Sequence, residues 1–170
     1  RTYGIALPQA YLETYLPVGN GLNIKAGHFY SPLGYETVPA PDNYFYTRVY
    51  TLNSGEPFTH TGLLGSYTIN QNWAVQGGAT TGSATGGWDG GFDKQLDNWG
   101  GLANILWNSN DQKTSVALGG TYGQTAVNEP WIMYNTVLQH WITPKTHMVL
   151  HHTHGWASNI NLPGGIQNAA

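Results

Sequence analysis

Four histidines near the end of the chain have the most evident potential for chemistry. His147, His151, His152 and His154 are candidate metal ligands, and a metal site needs side chains that converge to about 2 Å from the ion. Successive side chains of a strand point to opposite faces, so His147 and His151 share one face while His152 and His154 share the other. No nearby Asp or Glu completes a ligand set, and the chain has no cysteine. The spacing favours polar strand residues over a metal site.

Other catalytic and cofactor patterns are equally weak. No Gly-x-Ser-x-Gly elbow is present, and the glycine-rich segment 82–91 has neither the lysine nor the following helix of a phosphate-binding loop. Glu13 and Lys25 are expected on the same face of paired strands, where they suit a salt bridge better than catalysis. The net charge of −3 and the pI near 6.1 argue against a nucleic-acid partner. We predict no enzymatic activity and no cofactor.

One long segment, 31–59, concentrates charged residues between two predicted strands. It contains the candidate constriction residues Glu36, Asp42, Arg48 and Glu56, together with four prolines. If the segment folds into a barrel, carboxylates facing an arginine would set a transverse field that selects solutes by charge. The alternative is a surface loop packed over the rim by its own tyrosines. The prolines predict an ordered loop in either case.

The composition restricts the kinds of protein that carry these residues. Charged residues make up 9% of the 170 residues, against about 25% in an average soluble domain. The chain has 23 glycines and 13% aromatic residues, which argues against disorder. No apolar run approaches the length of a membrane helix. A mean hydropathy of −0.33 with so little charge suits a barrel that has one apolar and one polar face.

Alternating apolar and polar residues predict four hairpins. Their strands are 9–16 with 22–29, 60–69 with 73–81, 99–107 with 114–122, and 132–142 with 146–155. Short turns at 17–21, 70–72, 108–113 and 143–145 alternate with three long connections. Short turns on one side and long loops on the other are typical of transmembrane β-barrels. We predict an all-β, antiparallel, up-and-down transmembrane β-barrel with about eight strands in this chain.

The polar faces of these strands carry small, uncharged residues, which suit an enclosed lumen better than bulk water. In the fourth hairpin, Asn135 and Gln139 share a face with Trp141, so either a bulge intervenes or the inside and outside faces are exchanged there. The predicted pore-lining residues are Gln9, Tyr11, Glu13, Asn23, Lys25, His60, Gln76, Asn104, Ser115 and Thr121.

Tryptophans concentrate near the ends of the predicted strands. An indole ring is apolar but carries one N–H donor, so it prefers the level of lipid head groups. The alternative is an ordinary tryptophan core in a soluble sheet. We predict aromatic girdles at the two membrane surfaces, formed by Trp73, Trp99, Trp107, Tyr122, Trp131, Trp141 and Trp156.

Three segments near the predicted long loop resemble a known family. They are GHFYSPLGYE at 27–36, PAPDNYFY at 39–46 and GEPFTHTG at 55–62, preceded by LPQAY at 7–11 and GLNIKAGH at 21–28. The pattern is similar to the OmpL-like outer-membrane β-barrel porins of Gram-negative bacteria. The resemblance covers residues 5–80 and implies an outer-membrane pore or pore-like scaffold. Because members of that family are typically longer, we expect a single barrel domain that is incomplete at both ends.

Three functions follow from this interpretation. The first is a porin-like barrel for passive diffusion of small hydrophilic solutes, with outer-membrane lipid as its surroundings and a homo-oligomer or another subunit as a possible partner. The second is a non-conducting outer-membrane barrel that serves as a scaffold for a partner protein. The third is a soluble all-β carbohydrate-binding module with exposed aromatic platforms.

Overall fold

The computed structural model describes residues 8–39, 41, 43–81, 99–124 and 130–157. These residues form a single antiparallel sheet in which each strand pairs with the next along the chain. The elements are β1 (Ala10–Leu16), β2 (Leu22–Tyr30), α1 (Tyr50–Ser54), β3 (Thr59–Thr68), β4 (Trp73–Thr81), β5 (Trp99–Asn108), β6 (Thr114–Gln124), β7 (Pro130–Thr143) and β8 (Thr146–Ala157). The predicted all-β, up-and-down architecture is confirmed. β1 and β8 are the two edges of the sheet and do not pair with each other.

Local side-chain chemistry explains the short turns. Gly19 and Gly21 have φ of 59° and 100°, a backbone region that glycine enters without steric cost. The Asn70 side-chain oxygen accepts hydrogen bonds from the backbone N–H of Asn72 at 2.9 Å and of Trp73 at 3.0 Å. In the turn before β6, the hydroxyl of Ser109 and the N–H of Lys113 donate to Asp111, and these bonds lower the pKa of its carboxyl. Each reversal is therefore specified within a few residues.

The strand register separates two faces of the sheet. One face packs against residues 31–58, which we call the long loop, and we name it the loop face; the opposite one is the outward face. The outward face exposes large aliphatic side chains, with Leu63 at 55% and Leu150 at 57% exposure. None of the described strands places a Lys, Arg, Asp or Glu on it. Among the described residues there is one sheet, so these apolar groups are not enclosed between two stacked sheets.

The apolar core lies on the loop face. Phe29, Leu64 and Leu102 form one cluster across β2, β3 and β5. Leu33 of the long loop packs with Trp131 and Met133 of β7 in a second cluster. Burying apolar surface stabilises these contacts by about 25 cal/mol per Å². No helix in the described part of the chain has the length and apolar character needed to cross a membrane.

The fourth hairpin resolves the ambiguity about its faces. Asn135, Gln139 and Trp141 lie on the loop face, and the register shifts only beyond them, between Trp141 and Thr143. The bulge therefore does not move Trp141 to the outward face. Trp141, which was predicted to belong to an aromatic girdle, therefore lies on the loop face.

Candidate functional site

The long loop crosses the loop face from β3 to β8. Its two ends are joined where the Ser31 N–H donates to the Phe58 carbonyl at 3.0 Å. The His60 ring, on β3, lies with Nε2 3.1 Å from the Ser31 hydroxyl. These contacts fix the base of the loop to the sheet.

The charged residues of the loop stabilise its own backbone. The carboxylate of Glu36 accepts from the N–H of Val49 at 2.8 Å and of Phe45 at 3.4 Å. Arg48, whose φ is 65°, donates to the Val38 carbonyl and lies 5.6 Å from the centre of the Phe58 ring. Both charged groups are thus hydrogen-bonded to backbone groups of the loop, and these bonds hold the loop in a defined conformation.

The beginning of the long loop contacts the sheet at a position where the wall has no side chain. A Cβ at Gly119 would lie 2.5 Å from Cδ2 of Leu33, so the glycine leaves space for the leucine. Asn104 of β5 donates to the Pro32 carbonyl at 3.0 Å and also to Oε1 of Gln76 at 3.1 Å. Apolar packing and a side-chain hydrogen bond therefore hold the same turn of the loop.

Glu56, near the C-terminal end of the long loop, anchors the loop to β8. Its carboxylate is fully buried, and Oε1 lies 2.8 Å from Nε2 of His151. The Thr153 hydroxyl donates to the same oxygen. The second oxygen, Oε2, lies beside Gly34, whose φ is 85° and whose Cβ would come within 2.6 Å of it. A buried carboxylate is costly unless its charge is compensated, so this contact couples the loop conformation to β8.

Polar side chains form a continuous row across the loop face. They oppose one another in successive strand pairs, with Gly119 as the one position without a side chain. Gln76 donates to Ser66 at 3.3 Å, and Asn104 donates to Gln76. We name this set the amide row: Asn23, Ser66, Gln76, Asn104, Asn135 and Thr153.

The predicted pore-lining residues that belong to strands lie on one face, and this is the loop face. His60, Asn104 and Thr121 are buried there, whereas Asn23 and Glu13 are exposed. Thr121 donates to the Gly101 carbonyl, so these three residues line no open space. The remaining predicted strand residues on this face are Tyr11, Lys25, Gln76 and Ser115. Gln9 precedes β1, and its side-chain oxygen accepts from the Tyr30 N–H at 3.2 Å.

The expected Glu13–Lys25 salt bridge does not form. The two residues are direct partners in the register, but the Lys25 ammonium lies over the Tyr11 ring, 4.6 Å from its centre. A cation over a ring face is attracted by the ring's electron density.

The transverse charge field predicted for the loop needs correction. Glu36 is 3% exposed and Glu56 is fully buried, while the Arg48 guanidinium is bonded to the loop backbone. Glu36 and Arg48 bond to backbone groups of the loop, and Glu56 bonds to side chains of β8. These three charged groups therefore do not face an open passage. The fourth candidate, Asp42, lies outside the described residues.

The predicted aromatic girdles divide between the two faces. Trp73 and Trp107 pair on the outward face near the short turns, with ring centres 6.5 Å apart. Trp99, Tyr122 and Trp156 lie on the same face at the other strand ends. Trp131 and Trp141 do not belong to a girdle: Trp131 is buried against Leu33, and Trp141 stacks on His147 at 4.3 Å.

Several residues of this site were not among the predicted ones, including His151, Thr153, Asn135 and Tyr44. His151 and Thr153 are on the same face of β8 and meet Glu56, which is distant in sequence. Two features of the sequence could have indicated this contact. The alternation along β8 places His151 and Thr153 on one face, and a buried carboxylate such as Glu56 needs a hydrogen-bonding partner. In the described ranges, no group of three His, Asp or Glu side chains is placed to hold a metal ion.

A family model described as "Putative beta-barrel porin-2, OmpL-like" matches residues 1–170. Neither the curated proteins nor the solved structures give a match. The sheet topology, its two chemically distinct faces and the full-length family match agree, and the chain belongs to the OmpL-like beta-barrel porin-2 family.

Proposed function

We propose that this protein is an outer-membrane barrel through which small hydrophilic solutes diffuse passively. The observation that carries the proposal is the contrast between the two faces of one sheet. The outward face has exposed Leu, Ile and Trp without any charged strand residue, as contact with hydrocarbon requires. The loop face carries the amide row and the exposed polar residues Asn23 and Glu13, which suits a water-filled passage along this face.

The spacing of the outward aromatic residues supports a membrane position. Trp99 and Trp107 stand at the two ends of β5, about 26 Å apart along a strand that rises about 3.3 Å per residue. With a strand tilt of about 40°, their separation along the membrane normal is about 20 Å. An apolar band of this height approaches the thickness that outer-membrane barrels span. The membrane lipid is the proposed surrounding partner.

The chemistry of the loop face supports weak selection by charge. The carboxylates of Glu36 and Glu56 are buried, and the amide row is neutral. The strand charges on this face, Glu13 and Lys25, are opposite in sign and are partners in the register. A passage along this face therefore attracts neither cations nor anions strongly. We therefore propose hydrophilic solutes of either sign and neutral ones as permeants.

Conductance of the full-length protein in planar lipid bilayers tests the proposal. We expect stepwise current increases and a ratio of cation to anion permeability close to one. A correctly folded protein that gives no current steps would contradict passive diffusion. A strongly ion-selective current would contradict the neutral lining while leaving a pore intact.

A lipid-quenching measurement tests the assignment of the faces. In single-tryptophan variants reconstituted with brominated lipids, we expect Trp107 emission to be quenched strongly and Trp131 emission weakly. Trp107 lies on the outward face, whereas Trp131 is 8% exposed and covered by Leu33. Equal quenching of the two would contradict the proposed orientation. The other tryptophans are replaced by phenylalanine in both variants, so the two proteins differ only in the position of the reporter.

A second candidate is a non-conducting barrel that acts as a scaffold for a partner protein. The packing of Leu33 against Trp131 and Met133 favours it, because an apolar contact of this kind occupies space on the loop face. Stable copurification with one partner, together with no current in bilayers, would support this function. Assembly into a homo-oligomer stays a prediction.

A further inference from the structure

Four rings meet where the long loop approaches the β7–β8 hairpin. Tyr35 and Tyr44 of the loop stack with centres 5.4 Å apart and an angle of 23° between their planes. Trp141 and His147 stack with centres 4.3 Å apart at 12°. The Tyr44 hydroxyl lies 2.7 Å from Nδ1 of His147 and joins the two pairs. We call Tyr35, Tyr44, Trp141 and His147 the ring cluster.

The ring cluster presents broad apolar surfaces to open space. Tyr44 is 52% exposed and Trp141 is 44% exposed, although each is fixed by a stacking partner. Fixed rings lose little conformational entropy when a ligand binds them, which favours recognition. The cluster lies on the loop face close to the short turn at 143–146, and the proposed solute path runs along this face.

The surroundings of the ring cluster are polar: the backbone N–H of Trp141 donates to the Lys113 carbonyl at 2.9 Å, and Lys145 lies in the adjoining turn. Gln139 lies two residues before Trp141 on the same face. The Glu36 carboxylate next to Tyr35 is occupied by two backbone N–H groups. Burial, and then the neighbouring Tyr44, raise the pKa of the Tyr35 hydroxyl. Nδ1 of His147 is hydrogen-bonded to the Tyr44 hydroxyl, whereas Nε2 of the same ring is buried with no hydrogen-bond partner.

We propose that the ring cluster is a stacking site for neutral sugar rings, so that carbohydrates are the solute class this passage favours. The inference rests on the proposed pore and specifies its substrate. A pyranose has C–H groups on its two faces and hydroxyls around its edge. Its faces match the exposed Tyr44 and Trp141 rings, and its edge matches amides such as Gln139. A small inorganic ion has no extended C–H face to stack on the rings and no edge of hydroxyls for the amides.

Block of ion current by a neutral oligosaccharide tests the site. Maltohexaose is added to the full-length protein conducting in planar bilayers, and adenosine serves as a flat, neutral, non-carbohydrate probe. We expect saturable block by maltohexaose and weaker block by adenosine. Preferential block by adenosine, or block by neither probe, would overturn the proposal. Conduction without sugar block leaves the pore in place, whereas a complete lack of conduction contradicts the pore itself.

Substitutions locate the block at the ring cluster. We expect Trp141→Leu and Tyr44→Leu each to raise the half-blocking maltohexaose concentration about tenfold, since they remove a stacking surface. Tyr46→Leu is the matched control, because Tyr46 belongs to the same loop and is 94% exposed without a place in the cluster. Circular dichroism verifies the strand content of every variant. Equal sensitivity of all three folded variants to maltohexaose would overturn the assignment.

Discussion

Replacement of Glu56 by alanine is expected to release the C-terminal end of the long loop from β8. The substitution removes the oxygen that contacts His151 at 2.8 Å and accepts the Thr153 hydroxyl. Because both partners then lose a buried contact, we expect the free energy of unfolding to fall by about 1–3 kcal/mol. In planar bilayers, we expect a larger single-channel conductance and more open-channel noise, since a loop without this anchor samples wider positions.

Two further variants determine whether the anchor causes the change. Glu56→Gln keeps an oxygen for Thr153 but loses the negative charge, so its conductance should lie between those of the wild type and Glu56→Ala. Glu13→Gln removes a carboxylate from the same face at an exposed position in β1 and should leave the noise unchanged. A Glu56→Ala protein with wild-type conductance and noise would show that other contacts hold the loop.

Replacement of Gly119 by alanine is the second change for which we expect a large effect. The new Cβ would lie 2.5 Å from Cδ2 of Leu33 and 3.0 Å from Oδ1 of Asn104, so the buried Leu33 side chain must leave its present position against the wall. Because packed interiors tolerate added atoms poorly, we expect a loss of about 1–3 kcal/mol in stability. Thermal unfolding followed by circular dichroism in detergent measures this loss.

Gly77→Ala gives the matched comparison for Gly119→Ala. Gly77 also lies inside a strand, but the nearest atom to an added Cβ there is 3.9 Å away, an ordinary contact distance. We expect a small loss of stability for Gly77→Ala and a large one for Gly119→Ala. This difference would indicate that the loss comes from disturbed loop packing and not from the removal of a glycine from a strand. Equal effects at the two positions would contradict the role assigned to Gly119.

The strands were predictable because their signal is local. Residues such as Ile105 and Asn104 alternate between apolar and polar, and this period of two follows from strand geometry alone. Asn70 and Gly21 lie in turns that are determined within a few residues. Strand facing followed from the same alternation, so the predicted pore-lining residues that belong to strands share one face.

Burial on that face was not predictable from alternation. Glu56 and Asn104 belong to segments far apart in sequence, and both are buried only because the long loop lies across the sheet. Trp131 and Trp141 occupy strand ends as the girdle residues do, but their position on the loop face depends on the register of β7. The strand-end position of a tryptophan does not specify which face it occupies.

The sequence by itself determined the strands, the short turns, the family and the division into an apolar and a polar face, since each depends on neighbouring residues or on the pattern as a whole. Only the tertiary structure decided that Glu56 meets His151, that Leu33 fills the space at Gly119, and that Tyr44 reaches His147. These contacts join residues separated by about 90 to 100 positions. Their formation depends on how the loop folds against the completed sheet, which no local pattern encodes.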